Sequence, residues 1–232
     1  VFARPRIGVI STGDELIDGP EPLEIGQIRD ANRHTLLALV SEMGAESIDL
    51  GVVGDDEDEI RVAMLSAAAS CDALITSGGV SMGDFDYVKK VLTEIGDMRW
   101  MQVAIKPAKP LAFGTIDGTP IFGLPGNPVS SMVSFELFAR PGIRAMMGHD
   151  DPIVRPITGI AGEPLSRRAD GKTHFARVTA VPGNDGRYVA GFSGGQGSHQ
   201  LSAMANGNAL AIVPDGDGVA HGDPVDLLLL TP

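Results

Sequence analysis

The sequence predicts an α/β domain, a three-layer arrangement around a mostly parallel sheet, followed by a small all-β, barrel-like domain. Three observations point there. Apolar runs of strand length alternate with segments of helical spacing through residue 148. A glycine-rich turn joins one of those runs to a helix. Beyond Gly148, prolines and glycines separate short alternating segments that carry no helical period. The expected domains are residues 1–148 and 152–232, joined by a polar, Pro-containing stretch.

The first strand is read at residues 6–10 (Arg6-Ile7-Gly8-Val9-Ile10), and a Gly/Pro-rich loop follows it. Residues 31–42 carry Leu36, Leu37, Leu39 and Val40 at helical spacing, and the pattern stops near Gly44. A second strand covers 47–53. Asp55, Asp56, Glu57, Asp58 and Glu59 then load acid onto the start of a helix reaching about residue 69, as the helix macrodipole favours. The third strand, ending near Ile75, enters the glycine turn. Strands are expected at 100–105, 111–113 and 120–124. Asn127 is the expected N-cap and Pro128 the first residue of a helix ending before Pro141. In the second domain the expected strands are 173–181, 188–191, 209–213 and 224–230.

A chain of 232 residues, 43% of them hydrophobic, can bury two modest cores. A net charge of −12 argues against nucleic acid and anionic membrane as partners, because both demand basic faces. No apolar run is long enough to span a bilayer, and the N-terminus lacks the regions of a signal peptide, so a cytoplasmic protein is expected. The chain starts at valine and enters a strand almost at once, which reads as a piece of something longer. The single cysteine, Cys71, allows no internal disulfide and reads as a small buried side chain.

The stretch from Thr76 to Tyr87 (TSGGVSMGDFDY) carries the clearest chemistry. Gly78, Gly79 and Gly83 let backbone approach a ligand at a strand-to-helix turn, where an anion is favoured. The pattern is neither the dinucleotide GxGxxG nor the Walker GxxxxGK[ST]. Plain turn chemistry is the competing reading, and Asp84 and Asp86 weigh against it.

Five motifs in order resemble one family, the molybdopterin molybdenumtransferases, or molybdenum insertases. They are Ser11-Thr12-Gly13-Asp14-Glu15-Leu16, Ser77-Gly78-Gly79-Val80-Ser81 with Asp86-Tyr87, Lys106-Pro107 with Lys109-Pro110, Gly123-Leu124-Pro125-Gly126-Asn127-Pro128, and Gly195-Gln196-Gly197-Ser198-His199. The resemblance implies a molybdopterin-binding α/β domain followed by a β domain. The implied reaction takes adenylylated molybdopterin and molybdate, inserts the metal at the dithiolene sulfurs and releases AMP, with help from a divalent cation such as Mg²⁺. It also implies a homodimer for the intact protein, two further domains ahead of this region, and molybdopterin adenylyltransferase as the partner supplying substrate.

The same resemblance assigns site residues. Glu15, Asp55 and Asp86 fall at the acidic positions for Mg²⁺ and catalysis, and each follows an expected strand end, where open α/β sheets bind ligands. Ser77, Gly78 and Gly79 line the substrate loop. Lys106 and Lys109 supply positive charge for molybdate and the pterin phosphate, and Arg177 and Ser198 bind the oxyanion from the β domain. Simpler readings stand beside these: Asp55 as a helix cap, Glu15 as a solvated turn residue, the lysines as ordinary surface residues, and Arg177 as a strand arginine facing solvent. His199 beside glycines reads as structural, and the five histidines show no zinc-ligand spacing. Two departures from the family pattern are Gln102, where a lysine is frequent, and Ala108, where glycine is usual. The alternatives are molybdopterin adenylyltransferase, against which the β domain argues, and a non-catalytic binding or scaffold module.

Overall fold

The computed structural model describes residues 2–80 and 87–230. Along the chain, β1 (Arg6–Thr12) leads through the short β2 (Leu16–Ile17) and β3 (Ile28–Arg29) into α1 (Ala31–Glu42). Then come β4 (Glu46–Val53), α2 (Glu57–Ser70), β5 (Ala73–Ser77), α3 (Tyr87–Ile95), β6 (Asp97–Gln102), β7 (Ile105–Lys106), β8 (Pro110–Ile116) and β9 (Thr119–Leu124). A long helical segment follows as α4 (Pro128–Ser134), a π-helical turn (Phe135–Ala139) and α5 (Arg140–Met146). The remainder is β10 (Ile157–Ala161), β11 (Leu165–Ser166), β12 (Thr173–Pro182), β13 (Tyr188–Phe192), α6 (Leu201–Ala205), β14 (Ala209–Val213), β15 (Gly218–Val219) and β16 (Pro224–Leu229). Two compact units result: residues 1–102 with 110–152, and residues 103–109 with 153–232. The expected boundary near 148–152 therefore has a second crossing, at the lysine loop.

The first unit is a six-stranded mixed sheet in the order β4-β1-β5-β9-β8-β6. Its first four strands are parallel, and β8 and β6 extend it antiparallel. Beneath α2 and α3 lies a core of Ile10, Ile60, Met64, Leu74, Val91, Leu92 and Ile121, each such side chain stabilising the fold by about 1.5–3 kcal/mol. Ile7 and Val9, on the opposite face by strand alternation, are just as buried, and α1 and α4 supply Leu36, Val40, Val129 and Val133. Cys71 belongs to the first of these cores, as a plain buried side chain. A Cβ at Gly8 would stand 2.7 Å from Leu50 Cδ1 and 3.0 Å from Cys71 Sγ, so the strand needs glycine there.

Two expectations for this unit change. The strand expected at 100–105 splits: β6 ends at Gln102, and the chain turns away where Val103 N–H donates to Lys109 O (2.8 Å) and Ile105 N–H to Val103 O (2.8 Å). The helix starting at Pro128 runs through Pro141 instead of stopping before it. Proline lacks an N–H and crowds the carbonyl four residues back; here a π-helical turn precedes it, with Arg140 N–H reaching back to Phe135 O.

In the second unit β13, β10, β16, β14 and β12 pair in sequence, and β13 pairs again with β12, closing a five-stranded barrel. Its interior is packed with small side chains, Ala161, Ala176, Ala180, Ala190, Ala209 and Ala211 among Val178, Val213, Val225 and Leu227. So narrow a barrel leaves little room for larger ones. The sequence reading omits β10 and the five-residue α6. β7 joins β12 in parallel, Ile105 opposite Thr173 and Lys106 opposite His174. Among the described residues no helix is long and apolar enough to cross a membrane.

Candidate functional site

Because β4, β1, β5 and β9 run parallel, their carboxyl ends bring four loops to one edge of the sheet. The loops after β1 and β4 are clasped. Gly13 N–H donates to Val53 O (3.1 Å), Asp55 N–H to Asp14 Oδ1 (2.9 Å), and Asp14 N–H to Asp55 Oδ2 at a longer 3.4 Å. Asp55 is exposed and does not cap α2: that role belongs to Asp56, whose carboxylate accepts from the N–H groups of Asp58 (3.0 Å) and Glu59 (2.9 Å). The capping explanation for Asp55 therefore falls. Glu15 is also exposed, but it is no free turn residue. Its carbonyl accepts from Ile28 N–H (2.7 Å), and its carboxylate folds over Gly13, where a Cβ would sit 2.5 Å from Glu15 Oε2.

The loops after β5 and β9 are joined by a residue that sequence reasoning missed. Asn32, in the first turn of α1, donates from Nδ2 both to Ser77 Oγ (2.8 Å) and to Gly126 O (2.7 Å). Gly78 N–H donates to Leu124 O (3.1 Å). Gly78 (φ 95°) and Gly79 (φ 67°) both occupy the left-handed region, and a Cβ on Gly79 would fall 2.3 Å from Val88 Cβ. Asn127 is the N-cap of α4 with Pro128 next to it, yet its side chain makes no capping bond and is exposed at this edge. Asp86, with residues 81–85 of the glycine-rich stretch, lies outside the described residues. Among the described residues no group of three or more His, Cys, Asp or Glu side chains comes together as a metal site.

Beneath this edge Arg33 is 1% exposed and binds three aspartates: Asp30 (Nε to Oδ2, 2.9 Å), Asp49 and Asp18. Asp30 also accepts from Ser11 Oγ (3.1 Å) and Arg33 N–H (3.1 Å), tying the end of β1 to the start of α1. Burial works against the Arg33 charge, but the hydrogen bonds to Asp49, Asp30 and Asp18 outweigh it and raise its pKa.

The lysine loop belongs to the second unit. Lys106 and Lys109 are exposed, Lys106-Pro107 is a cis peptide, and Thr173 N–H donates to Ala104 O (2.9 Å). On the same unit Arg177 is 1% exposed, contrary to a strand arginine facing solvent. Its Nη2 donates to Gly195 O (2.9 Å) and Gly197 O (3.1 Å), while its Nε is buried with no partner. No carboxylate among the described residues pairs with it, and burial lowers its pKa. The turn it grips carries the half-buried Ser198 and the exposed His199.

Residues 8–145 match the family model described as "Probable molybdopterin binding domain", and residues 163–230 the one described as "MoeA C-terminal region (domain IV)". A "Molybdopterin molybdenumtransferase" of Haemophilus influenzae is 37% identical over 227 residues, covering 97% of this chain and 56% of its own length. This chain belongs to the molybdopterin molybdenumtransferase family. A Nostoc relative of the same name is 38% identical and covers 99% of the chain and 54% of its own length. The chain thus spans about half the length of the curated relatives it matches. A crystal structure titled as a molybdopterin biosynthesis MoeA protein from Pyrococcus horikoshii superposes with a TM-score of 0.81 at 26% identity, over 99% of this chain and 55% of that one. The molybdopterin molybdenumtransferase resemblance expected glycine at position 108, and the geometry supplies the reason: Ala108 is buried with φ 75°.

Proposed function

We propose that this chain carries the insertion step of molybdenum cofactor synthesis, in which adenylylated molybdopterin receives molybdenum from molybdate and AMP is released. The observation that carries this reading is the clasped carboxyl edge of the first sheet. Two exposed carboxylates, Glu15 and Asp55, stand on loops held by Asp14, beside a turn in which Gly78 and Gly79 both take the left-handed conformation.

The donor set fits Mg²⁺, a hard cation that keeps several waters and takes few carboxylates: Glu15 and Asp55 would hold it, together with Asp86 by the family resemblance. Bound there, it neutralises charge on the phosphates of the substrate. The chain's own residues do the rest. Asp55 or Asp86 takes the proton of an attacking water, and the carboxylates not used as base hold the cation. As the water oxygen bonds to phosphorus, the anhydride P–O bond breaks and AMP leaves with its electron pair. Ser77, Gly78 and Gly79 bind the phosphorylated substrate, and Lys106, Lys109, Arg177 and Ser198 bind oxyanions, Arg177 being a buried cation that no carboxylate among the described residues neutralises. The intact protein acts as a cytoplasmic homodimer supplied by molybdopterin adenylyltransferase, as the family resemblance implies.

The test is AMP release from adenylylated molybdopterin by the purified chain, with and without molybdate and Mg²⁺, for the wild type, Asp55→Asn and Asp86→Asn. Molybdate-stimulated, Mg²⁺-dependent release that either substitution abolishes is the expected result. Release unaffected by both would sink the carboxylate assignment. ATP-dependent adenylylation would assign the adenylyltransferase reaction, and inactivity of both this chain and a version matching the full length of its relatives would leave a binding module.

A further inference from the structure

We infer that Gln196 is a positioning residue for the oxyanion donors Arg177 and Ser198, an inference that rests on the role just proposed for those two residues. β12 is paired by β7 at Thr173 and His174 and by β13 from Val178 onward, and between them Arg177 has no strand residue opposite it on that edge. The carboxamide of Gln196 fills the gap as a strand would. Its Oε1 accepts from Arg177 N–H (2.9 Å), and its Nε2 donates to Arg177 O (3.1 Å) and to Gly194 O (2.9 Å). Ser193 N–H adds a bond to the same Arg177 carbonyl (3.1 Å).

The grip is reciprocal. Gln196 reaches from the turn to the strand backbone, and Arg177 reaches from the strand to the turn carbonyls of Gly195 and Gly197. Gln200 closes the far side, its Oε1 accepting from Gly197 N–H (3.2 Å). Gly195 lies directly under this side chain: a Cβ there would sit 2.0 Å from Gln200 Oε1, so any larger residue would displace Gln200. Two consequences follow. The guanidinium spends Nη2 on the turn and keeps Nε buried without a partner, so its orientation is set by the turn and not by a counter-ion. Ser198 lies two residues beyond the anchor, so its position depends on the same bonds. A flexible turn would have to be ordered on binding; this one is ordered beforehand.

The experiment titrates molybdate into the full chain by calorimetry for the wild type, Gln196→Met and Gln196→Glu, with hydrogen exchange of residues 175–200 and thermal midpoints measured on the same samples. Gln196→Met keeps the length and removes every bond; Gln196→Glu keeps the acceptor and removes the donors. The expected result is molybdate binding weakened about tenfold in Gln196→Met, and at least as much in Gln196→Glu, whose added negative charge faces the Arg177 and Gly194 carbonyls. Faster exchange at Arg177 N–H is expected, with a thermal midpoint close to wild type. Unchanged exchange, or wild-type affinity in Gln196→Met, overturns the positioning role. A fall in midpoint without a fall in affinity also overturns it, by making Gln196 merely structural. A wild-type chain that does not bind molybdate while exchange still responds overturns the oxyanion reading of Arg177 and Ser198, and this inference with it.

Discussion

Arg33 in the first unit and Arg177 in the second are each 1% exposed, yet they are equipped in opposite ways. Arg33 is enclosed by Asp30, Asp49 and Asp18, and its pKa is raised; Arg177 meets only carbonyl oxygens, keeps one N–H without a partner, and its pKa is lowered by burial alone. A buried charge is expensive unless it is compensated. Full compensation marks Arg33 as a strut that joins β1 and α1 beneath the carboxyl edge. Incomplete compensation at Arg177 is what its proposed oxyanion role requires. Burial does not tell the two arginines apart, whereas the count of carboxylates around each among the described residues does.

The largest effect expected is on stability at Arg33. Arg33→Ala strands Asp30 in the interior and should cost about 3–5 kcal/mol, read by urea unfolding through Trp100, the chain's single tryptophan, which lies in the first unit. The counterpart is Arg177→Met, which strands no opposite charge but leaves the Gly195 and Gly197 carbonyls without their donor: stability should fall by about 1–3 kcal/mol, less than for Arg33→Ala, while molybdate-stimulated AMP release falls about 10²–10³-fold, as on losing one preorganised donor. If Arg177→Met instead unfolds the barrel and Arg33→Ala is mild, the contrast is reversed.

A smaller pair sharpens the same distinction among acids. Asp56→Ala should cost about 1 kcal/mol through loss of the α2 cap, and Asp55→Ala no more than about 0.5 kcal/mol, although only the second should abolish AMP release. The smallest effect concerns pH. The hydrogen bonds of His34 and Arg33 hold Asp18 below its usual value of 3.8; at Asp49 burial opposes ionisation, but the Gly51 N–H and Arg33 outweigh it and also hold the group low. A depressed folded pKa contributes stability above the unfolded value and loses it as pH falls through the folded one. The stability gap between wild type and Asp49→Asn should therefore be full at pH 7 and close as pH drops below 3.8.

Elements in both units are legible along the chain. The helix read at 31–42 and the strand read at 209–213 coincide with α1 and β14, because local apolar spacing and turn residues set their limits. Glu15, Asp55, Gly78 and Gly79 fall on strand-end loops, and Ser77 is the last residue of β5. What was not legible depends on partners far away in sequence. Asp14 and Asn32 look like ordinary loop and helix polar residues until the parallel strands bring their targets alongside. Neighbouring acids conceal which one caps α2, since Asp55 and Asp56 differ only in backbone geometry. Gln196 and the burial of Arg177 depend on closure of the barrel, which no local pattern announces.

By itself the sequence determined the alternation of strands and helices through residue 148 and the all-β character beyond it, the glycines that permit close backbone approach, and the acids and bases on offer. These follow from short-range sterics and periodicity, which each segment carries with it. Only the tertiary structure decided that the lysine loop joins the second unit, that Asp56 caps where Asp55 does not, and that Arg177 is buried without a counter-ion. Strand pairing between distant segments sets which backbone groups are already bonded and which charges are left to be met, and that depends on the folded whole.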